Sequence, residues 1–354
     1  MAHRRTSFHP GTRLSVAAVV CTALAFIPNS AFAQNAEKAF IISTTTSVGL
    51  LYGEGYEYVY NQSVSANYKN SELDWPLAPL FYTGAAISLT TRIGIFASLE
   101  VKEGLPGRAG TMSDSDFLNG DGVKTHFSQS DCYAEHALLL DLKAGYDLPT
   151  FGAFSLGFYA GFSYMDFKWS ARDGYYQYPA SGTSYTFDTT GVLVPGTYTP
   201  WSAGETKTPL YGTGILYEQA YLIASLGLRA TYRLLDTLSL GAWCSFSPLT
   251  SCYTEDNHEF RLVDFYSTLL TGLMVEPGLS IDWEIRPGAS LKLSVDYRQL
   301  FNLIGNITQV DQGTTWTASD GNYYAGPDSA SMGPKGSGAG VWMLDASLLF
   351  RLEL

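Results

Sequence analysis

The sequence has few charged residues, few prolines and few cysteines, and it lacks long apolar runs after its first segment. Charged residues make up 15% of the 354, whereas 46% are apolar and 14% aromatic, a composition typical of a folded chain. The scarcity of proline argues against a proline-rich linker between two domains, and 35 glycines spread along the chain argue against a helical bundle. The net charge of -12 offers no basic footprint, so we expect no nucleic-acid partner.

The N-terminal segment has the pattern of a secretory signal peptide. Three arginines precede an apolar run from Leu14 to Ile27, and an Ala-Phe-Ala cleavage site occupies residues 31–33. We therefore predict a signal peptide over residues 1–33 and one domain over residues 34–354. Lipidation at Cys21 is the alternative, and the bulky valine before this cysteine disfavours it.

The predicted mature chain has three cysteines, Cys132, Cys244 and Cys252, and an odd number cannot pair completely. Cys244 and Cys252 lie too far apart on one extended segment to form a bridge, so we expect no structural disulfide. The cysteines and histidines show no close metal-ligand spacing such as CxxC or HExxH. We expect neither a metal ion nor another cofactor.

Period-two alternation of apolar and polar residues is the main structural signal. No run of about 18 apolar residues follows the leader, which excludes transmembrane helices. Alternation over about ten residues is clear in Leu279–Arg286, Ala289–Arg298 and Trp342–Leu354, as in strands with one face in lipid and one in a polar lumen. A soluble β-sandwich also alternates. The frequent Trp and Tyr and the alternation up to the last residue favour a membrane barrel.

Short turns and long polar loops alternate between the predicted strands. The short turns are predicted at residues 90–92, 148–152, 235–237 and 286–289, and the long loops at 61–72, 109–130, 172–212, 254–263 and 305–340. These connections join ten strands. We predict an all-β fold, a ten-stranded antiparallel transmembrane β-barrel of the outer membrane with long extracellular loops and short periplasmic turns. Functional residues are then expected near the long loops.

Two pairs of residues could carry chemistry. Asp114 and Asp116, spaced i, i+2, place both carboxylates on one face of a strand about 6 to 7 Å apart. Asp256 and His258 have the same spacing, so the carboxylate can hold the imidazole as a general base requires. Alone, each pair is more typical of a solvated turn, and Asp-x-Asp also suits a weak calcium site. Without phosphate-binding or Gly-x-Ser-x-Gly motifs, activated water is the enzymatic option.

Four segments, in the right order, resemble the omptins, ten-stranded outer-membrane endopeptidases of Gram-negative bacteria. The resemblance covers residue 43 to the C-terminus. The segments are Gly49-Leu50-Leu51-Tyr52-Gly53 with Glu57-Tyr58-Val59-Tyr60, Ser71-Glu72-Leu73-Asp74-Trp75, Met112-x-Asp114-x-Asp116-Phe117, and Leu240-Gly241 through Asp256-Asn257-His258. The family has Trp where Phe117 stands. The resemblance implies a monomeric endopeptidase of protein or peptide substrates, with its active site facing the exterior.

The resemblance also implies roles for individual residues. Asp256 and His258 would activate a water, and Asp114 and Asp116 would align that water and the scissile peptide.

For substrate binding, Glu57 matches one acidic wall of the family's pocket for a basic side chain before the cut bond. Thr254 replaces the second acid. Ser128 matches a serine of the family's next motif, and His126 replaces the acid that receives the residue after the cut. We therefore predict a preference for Arg over Lys before the bond, and little need for a basic residue after it.

The family's lipopolysaccharide motif is largely missing. The positions of its Tyr, Glu and Arg hold Phe162, Tyr164 and Asp166, and Arg172 is the one matched basic residue. Asp166 would repel a lipid phosphate. Outer-membrane lipid is thus an expected partner, whereas dependence on lipopolysaccharide is doubtful.

Two non-enzymatic functions compete with the protease. A porin is disfavoured because ten strands enclose a narrow lumen, which inward charges such as Lys292, Asp296, Arg298 and Arg351 would fill. A catalytically inactive omptin-like barrel acting as an adhesin is the stronger alternative. Retention of all four catalytic positions favours the enzyme.

Overall fold

The computed structural model describes residues 40–312, 315–317, 323–325, 328–331 and 333–354, and the predicted signal peptide lies outside them. The chain is built from β-strands. In order they are β1 (Phe40–Tyr60), β2 (Lys69–Pro76), β3 (Leu80–Thr91), β4 (Ile95–Gly104), β5 (Gly107–Asp116), β6 (His126–Asp147), β7 (Phe154–Gln177), β8 (Thr186–Phe187), β9 (Leu193–Val194), β10 (Thr208–Leu235), β11 (Leu238–His258), β12 (Val263–Arg286), β13 (Ala289–Asp311), β14 (Thr315–Thr317), β15 (Tyr323–Ala325), β16 (Asp328–Ser331) and β17 (Ser337–Glu353).

The long strands form one closed antiparallel ring with ten positions. Two positions are each shared by two strands, because β2 continues β3 beside β1, and β5 continues β4 beside β6. The first strand pairs with the last, β17, which in turn pairs with β13. Closure leaves no free edge, so backbone groups facing lipid can all be hydrogen-bonded. The predicted ten-stranded barrel is confirmed.

The two ends of the barrel differ. Four short turns, near residues 92–94, 148–153, 236–237 and 287–288, lie at one end, where Phe40 and Glu353 also lie. At the other end, which we call the loop end, the strands continue further than predicted. The predicted loop over residues 254–263 is in fact a tight turn of residues 259–262, because β11 and β12 stay paired up to His258 and Val263. The predicted loop over 172–212 contains the β8–β9 hairpin.

Alternation along the strands produces an apolar outer surface. Leu279, Ile281 and Trp283 are 65%, 46% and 52% exposed and point outward, as predicted. On β1 the outward residues change from apolar at Tyr52 to charged at Glu54, so the apolar band ends there. The strands therefore extend beyond the membrane-spanning part at the loop end. No helix in the described ranges is long and apolar enough to cross a membrane.

The inside of the apolar band holds paired charges. Arg298 lies 3.3 Å from Asp141 and 2.9 Å from Glu276, and Lys102 lies 2.7 Å from Asp345. All five residues are buried. Removal of one partner would leave a buried charge without compensation, which is costly. This pairing, predicted for Arg298, places fixed side chains across the lumen and leaves a cavity of about 200 Å³ between them.

An aromatic layer lies between these charges and the loop end. Trp75 stacks on Tyr217 with ring centroids 5.0 Å apart, and Trp169 stacks on Tyr217 and Phe167 at 6.0 and 5.6 Å. Gly55 permits this packing, because a Cβ there would meet the Trp169 ring at 3.1 Å. The layer gives the side chains beyond it a rigid support.

We expect Arg298→Ala to lower the free energy of unfolding by about 3–5 kcal/mol, because it leaves Asp141 and Glu276 buried without their cation. Arg351→Ala is the matched control. Arg351 is 42% exposed and 3.8 Å from Asp282, so its loss should cost less than about 1 kcal/mol. Denaturant titration in detergent micelles measures both. Equal losses in the two variants would contradict the interior network.

Candidate active site

The strand register brings Asp114 and Asp116 into a polar group on the inner face of the loop end. Across the ladder, Asp114 pairs with Ser128 and Asp116 with His126, both on β6. On the other side, Ser71 of β2 pairs with Asp116, and its hydroxyl donates to Asp114 Oδ1 at 3.2 Å. Because successive inward residues are two apart, both carboxylates face the same side.

The second pair lies at the end of β11. His258 Nε2 is 2.7 Å from Asp256 Oδ2, and Asp256 is 4% exposed. Its carboxyl also shares a hydrogen bond with Glu57. The carboxylate thus fixes the orientation of the imidazole.

Both pairs open into one cleft of about 650 Å³ at the loop end. The four predicted catalytic residues line it, together with His126 and Ser128. Other lining residues include Ser71, Tyr178, Arg261 and Phe265. The structure therefore assembles six of the eight predicted site residues from β5, β6 and β11, which are distant in sequence.

The pKa values of both aspartates of β5 are raised. Burial raises the pKa of Asp114 well above its usual range, and the charge of Asp116 raises it further. Burial also raises the pKa of Asp116. The Ser71 hydroxyl and the positive charge of Arg261 oppose these shifts. The pair consequently keeps a proton at a higher pH than two separate aspartates would.

His126 is enclosed by aromatic rings. The rings of Tyr178 and Tyr198 meet it edge-on with centroids 4.8 and 4.6 Å away, and Thr125 Oγ1 is 2.9 Å from Nδ1. Burial lowers the pKa of His126, which favours the neutral ring. Where the omptin resemblance implied an acid, the cleft thus presents an imidazole whose surroundings favour the neutral form.

Glu57 and Thr254 are buried, 4% and 2% exposed, and do not line the cleft. The Glu57 carboxyl lies close enough to Asp256 for the two to interact strongly. Burial first, and then the charge of Asp256, raise the pKa of Glu57 well above its usual range. The two carboxyls also share a hydrogen bond, which requires a proton on one of them. Glu57 is therefore an acidic group behind the cleft surface, next to the His258 couple.

Arg261 is the main feature that sequence reasoning missed. Its Nη2 donates to His258 Nδ1 at 2.7 Å, across the tight turn of residues 259–262. Arg261 follows His258 by three residues, and a tight turn brings two residues at this spacing into contact. The sequence analysis predicted a long loop here and therefore did not predict this contact.

The segment compared with the family's lipid motif is occupied by internal pairs. Arg172 forms an ion pair with Glu135 and stacks over the Tyr133 ring at 4.8 Å. Asp166 lies 3.5 Å from His136. A phosphate would have to compete with Glu135 for Arg172.

Within the described part of the chain, no group of three or more His, Cys, Asp or Glu side chains is placed to hold a metal ion. Cys132, Cys244 and Cys252 are free thiols, and none lines the cleft.

The Omptin family profile matches residues 38–332, so the chain belongs to the Omptin family. The chain is similar to the outer membrane protease OmpT of Escherichia coli, with 18% identity, 89% of this chain and 97% of that chain covered, and a TM-score of 0.71. It is less similar to the translocator domain of autotransporter NalP from Neisseria meningitidis, with 9% identity, 89% of each chain covered and a TM-score of 0.32. No curated protein matches the chain. Family membership and the barrel fold support an outer-membrane protease.

We expect Ser71→Ala to raise the pKa of Asp114, because the Ser71 hydroxyl donates to the ionised carboxylate and favours it. A ¹³C NMR titration of aspartate carboxyl carbons, assigned with Asp114→Asn, measures the shift. Ser113→Ala is the matched control, since Ser113 donates to Asp74 at 2.8 Å instead. A pKa of Asp114 that moves equally in both variants would show that Ser71 does not tune the pair.

Proposed function

We propose that the chain is an outer-membrane endopeptidase that hydrolyses peptide bonds with a water activated by Asp256 and His258. The 2.7 Å contact between these two side chains, inside a cleft that Asp114 and Asp116 also line, carries the proposal. The cleft is large enough for a peptide segment of several residues. Its position at the loop end, away from the short turns, supports an active site that faces the cell exterior.

The hydrogen bonds of His258 indicate which nitrogen acts. A guanidinium can only donate, so Nδ1 accepts from Arg261 and Nε2 carries the proton donated to Asp256. Nδ1 therefore holds the lone pair that takes a proton from water, once Arg261 has moved. Asp256 then stabilises the imidazolium that forms.

The reaction needs one water and no covalent bond between the protein and the peptide. The water oxygen attacks the scissile carbonyl carbon while its proton passes to His258 Nδ1. His258 then gives this proton to the amine nitrogen as the C–N bond breaks. Asp114 and Asp116 orient the water and the peptide from the opposite side of the cleft.

We expect His258→Ala to lower kcat by about 10²–10⁴-fold with little change in KM, because general-base catalysis contributes on this order. Initial rates on a quenched fluorescent peptide measure both constants. His136→Ala is the control, because His136 lies outside the cleft beside Glu103 and Asp166. Normal turnover in His258→Ala, or full inhibition by serine- or cysteine-directed reagents, would refute the mechanism.

Glu57 is our proposed determinant of specificity for a basic residue before the cut bond. Its buried carboxyl lies beside Asp256, and a substrate guanidinium that enters next to this pair would bond both carboxyls and take the place of the proton they share. Thr254 supplies no second acid, so the planar fork of Arg, bonding one carboxylate twice, is favoured over Lys.

We expect Glu57→Gln to lower the ratio of kcat/KM for Arg over Leu before the bond by about 10–100-fold, the value of a charge-assisted hydrogen bond. Thr254→Asp should raise this ratio. Peptide-library profiling by mass spectrometry measures both effects. Glu54→Gln is the matched control on the same strand, since Glu54 accepts from Tyr56 on the outer face. An unchanged profile in Glu57→Gln would remove Glu57 from the specificity site.

A further inference from the structure

Arg261 is the only lysine or arginine among the described residues that line the cleft. The other charged side chains there are the carboxylates of Asp114, Asp116 and Asp256. A carbonyl oxygen that becomes negative during attack by water would therefore meet mainly negative charge. Among the described residues of the lining, Arg261 is the one permanent positive charge that can offset it.

The contact between Arg261 and His258 cannot persist through the reaction. It requires an unprotonated Nδ1, because a guanidinium has hydrogen-bond donors and no acceptor. When Nδ1 takes the proton of water, both groups are cations that present N–H bonds to each other. The guanidinium must then leave, just as negative charge develops on the substrate oxygen.

Only the side chain of Arg261 needs to move. The turn backbone is held by a hydrogen bond from Arg261 N to His258 O at 3.1 Å and by one from Glu259 N to Gly214 O at 2.9 Å. Leu262 takes a left-handed conformation, with φ 53°, that completes the turn. The Arg261 side chain itself is exposed, so it can swing within the cleft without breaking core packing.

We propose that Arg261 is a catalytic residue that rests on His258 Nδ1 and moves to bind the oxyanion of the tetrahedral intermediate. This inference rests on the proposed function. As the water oxygen bonds to the carbonyl carbon, the π electrons pass to the carbonyl oxygen and the water proton passes to His258. Arg261 keeps its protons throughout and supplies two parallel N–H donors to the new anion.

Two variants and two readouts test this role. Arg261→Gln should lower kcat by about 10²-fold or more with KM changed less than about threefold, because loss of one oxyanion donor costs about this much. Arg261→Lys should recover part of the rate, since it restores the charge without the fork. A peptide phosphinate, which places a tetrahedral anion at the scissile position, should bind Arg261→Gln more weakly by a similar factor.

Arg108→Gln is the matched control. Arg108, on β5, forms an exposed ion pair with Asp131 of β6, so its substitution removes an equal charge outside the cleft. Its kcat and phosphinate affinity should match the wild type. An unchanged or faster kcat in Arg261→Gln, with unchanged phosphinate affinity, would overturn the proposal and leave Arg261 as a resting contact alone. If the proposed function is wrong, the wild type cleaves no peptide. The phosphinate affinities of the wild type and Arg261→Gln then still show whether Arg261 binds a tetrahedral anion.

Discussion

Pairing between β1 and β17, from Ser43 opposite Glu353 to Val59 opposite Ser337, closes the ring, and closure requires one fixed total stagger of the strands. Side chains along each strand alternate between lipid and lumen, so a slip of one residue would turn the whole inner set outward. The same register continues past the apolar band. There it places Asp114 opposite Ser128, and it brings Asp256 and His258 to the inner face. The site is thus a continuation of the barrel wall.

Side chains that cross the lumen explain why a narrow barrel can hold a precise site. Paired charges around Arg298 occupy the membrane level, and the aromatic layer around Tyr217 lies above them. Both restrict movement of the strands that carry the cleft. Such filling also argues against a wide channel through the described part of the barrel.

Local pattern predicted much of this structure. Alternation in Leu279–Arg286 and Ala289–Arg298 is a property of neighbouring residues, so strand number and facing followed directly. The i, i+2 spacing likewise placed each predicted catalytic pair on one face. Strand stagger and barrel closure decide which pairs lie opposite each other across the lumen. Residue spacing within one strand does not determine either of them.

The features that the sequence did not predict have different physical causes. Strand length beyond the membrane was underestimated, so the tight turn after His258 was predicted as part of a long loop and Arg261 was missed. Tyr178 and Tyr198, the aromatic partners of His126, lie about 50 to 70 residues later, in the connection between β7 and β10. This connection has no sequence periodicity from which its conformation could be predicted. Glu57 matched the family's pocket by motif, yet its burial behind the cleft depends on packing against Trp75 and Asp256.

Direct attack by water is the central claim, and product analysis in H₂¹⁸O with added hydroxylamine tests it most directly. Under single-turnover conditions, mass spectrometry should find one ¹⁸O atom in the new carboxyl terminus, no hydroxamate and no peptide bound to the protein. Hydroxylamine would intercept an acyl intermediate. Detection of a peptide hydroxamate, or of a covalent peptide adduct on the chain, would contradict a water activated by Asp256 and His258.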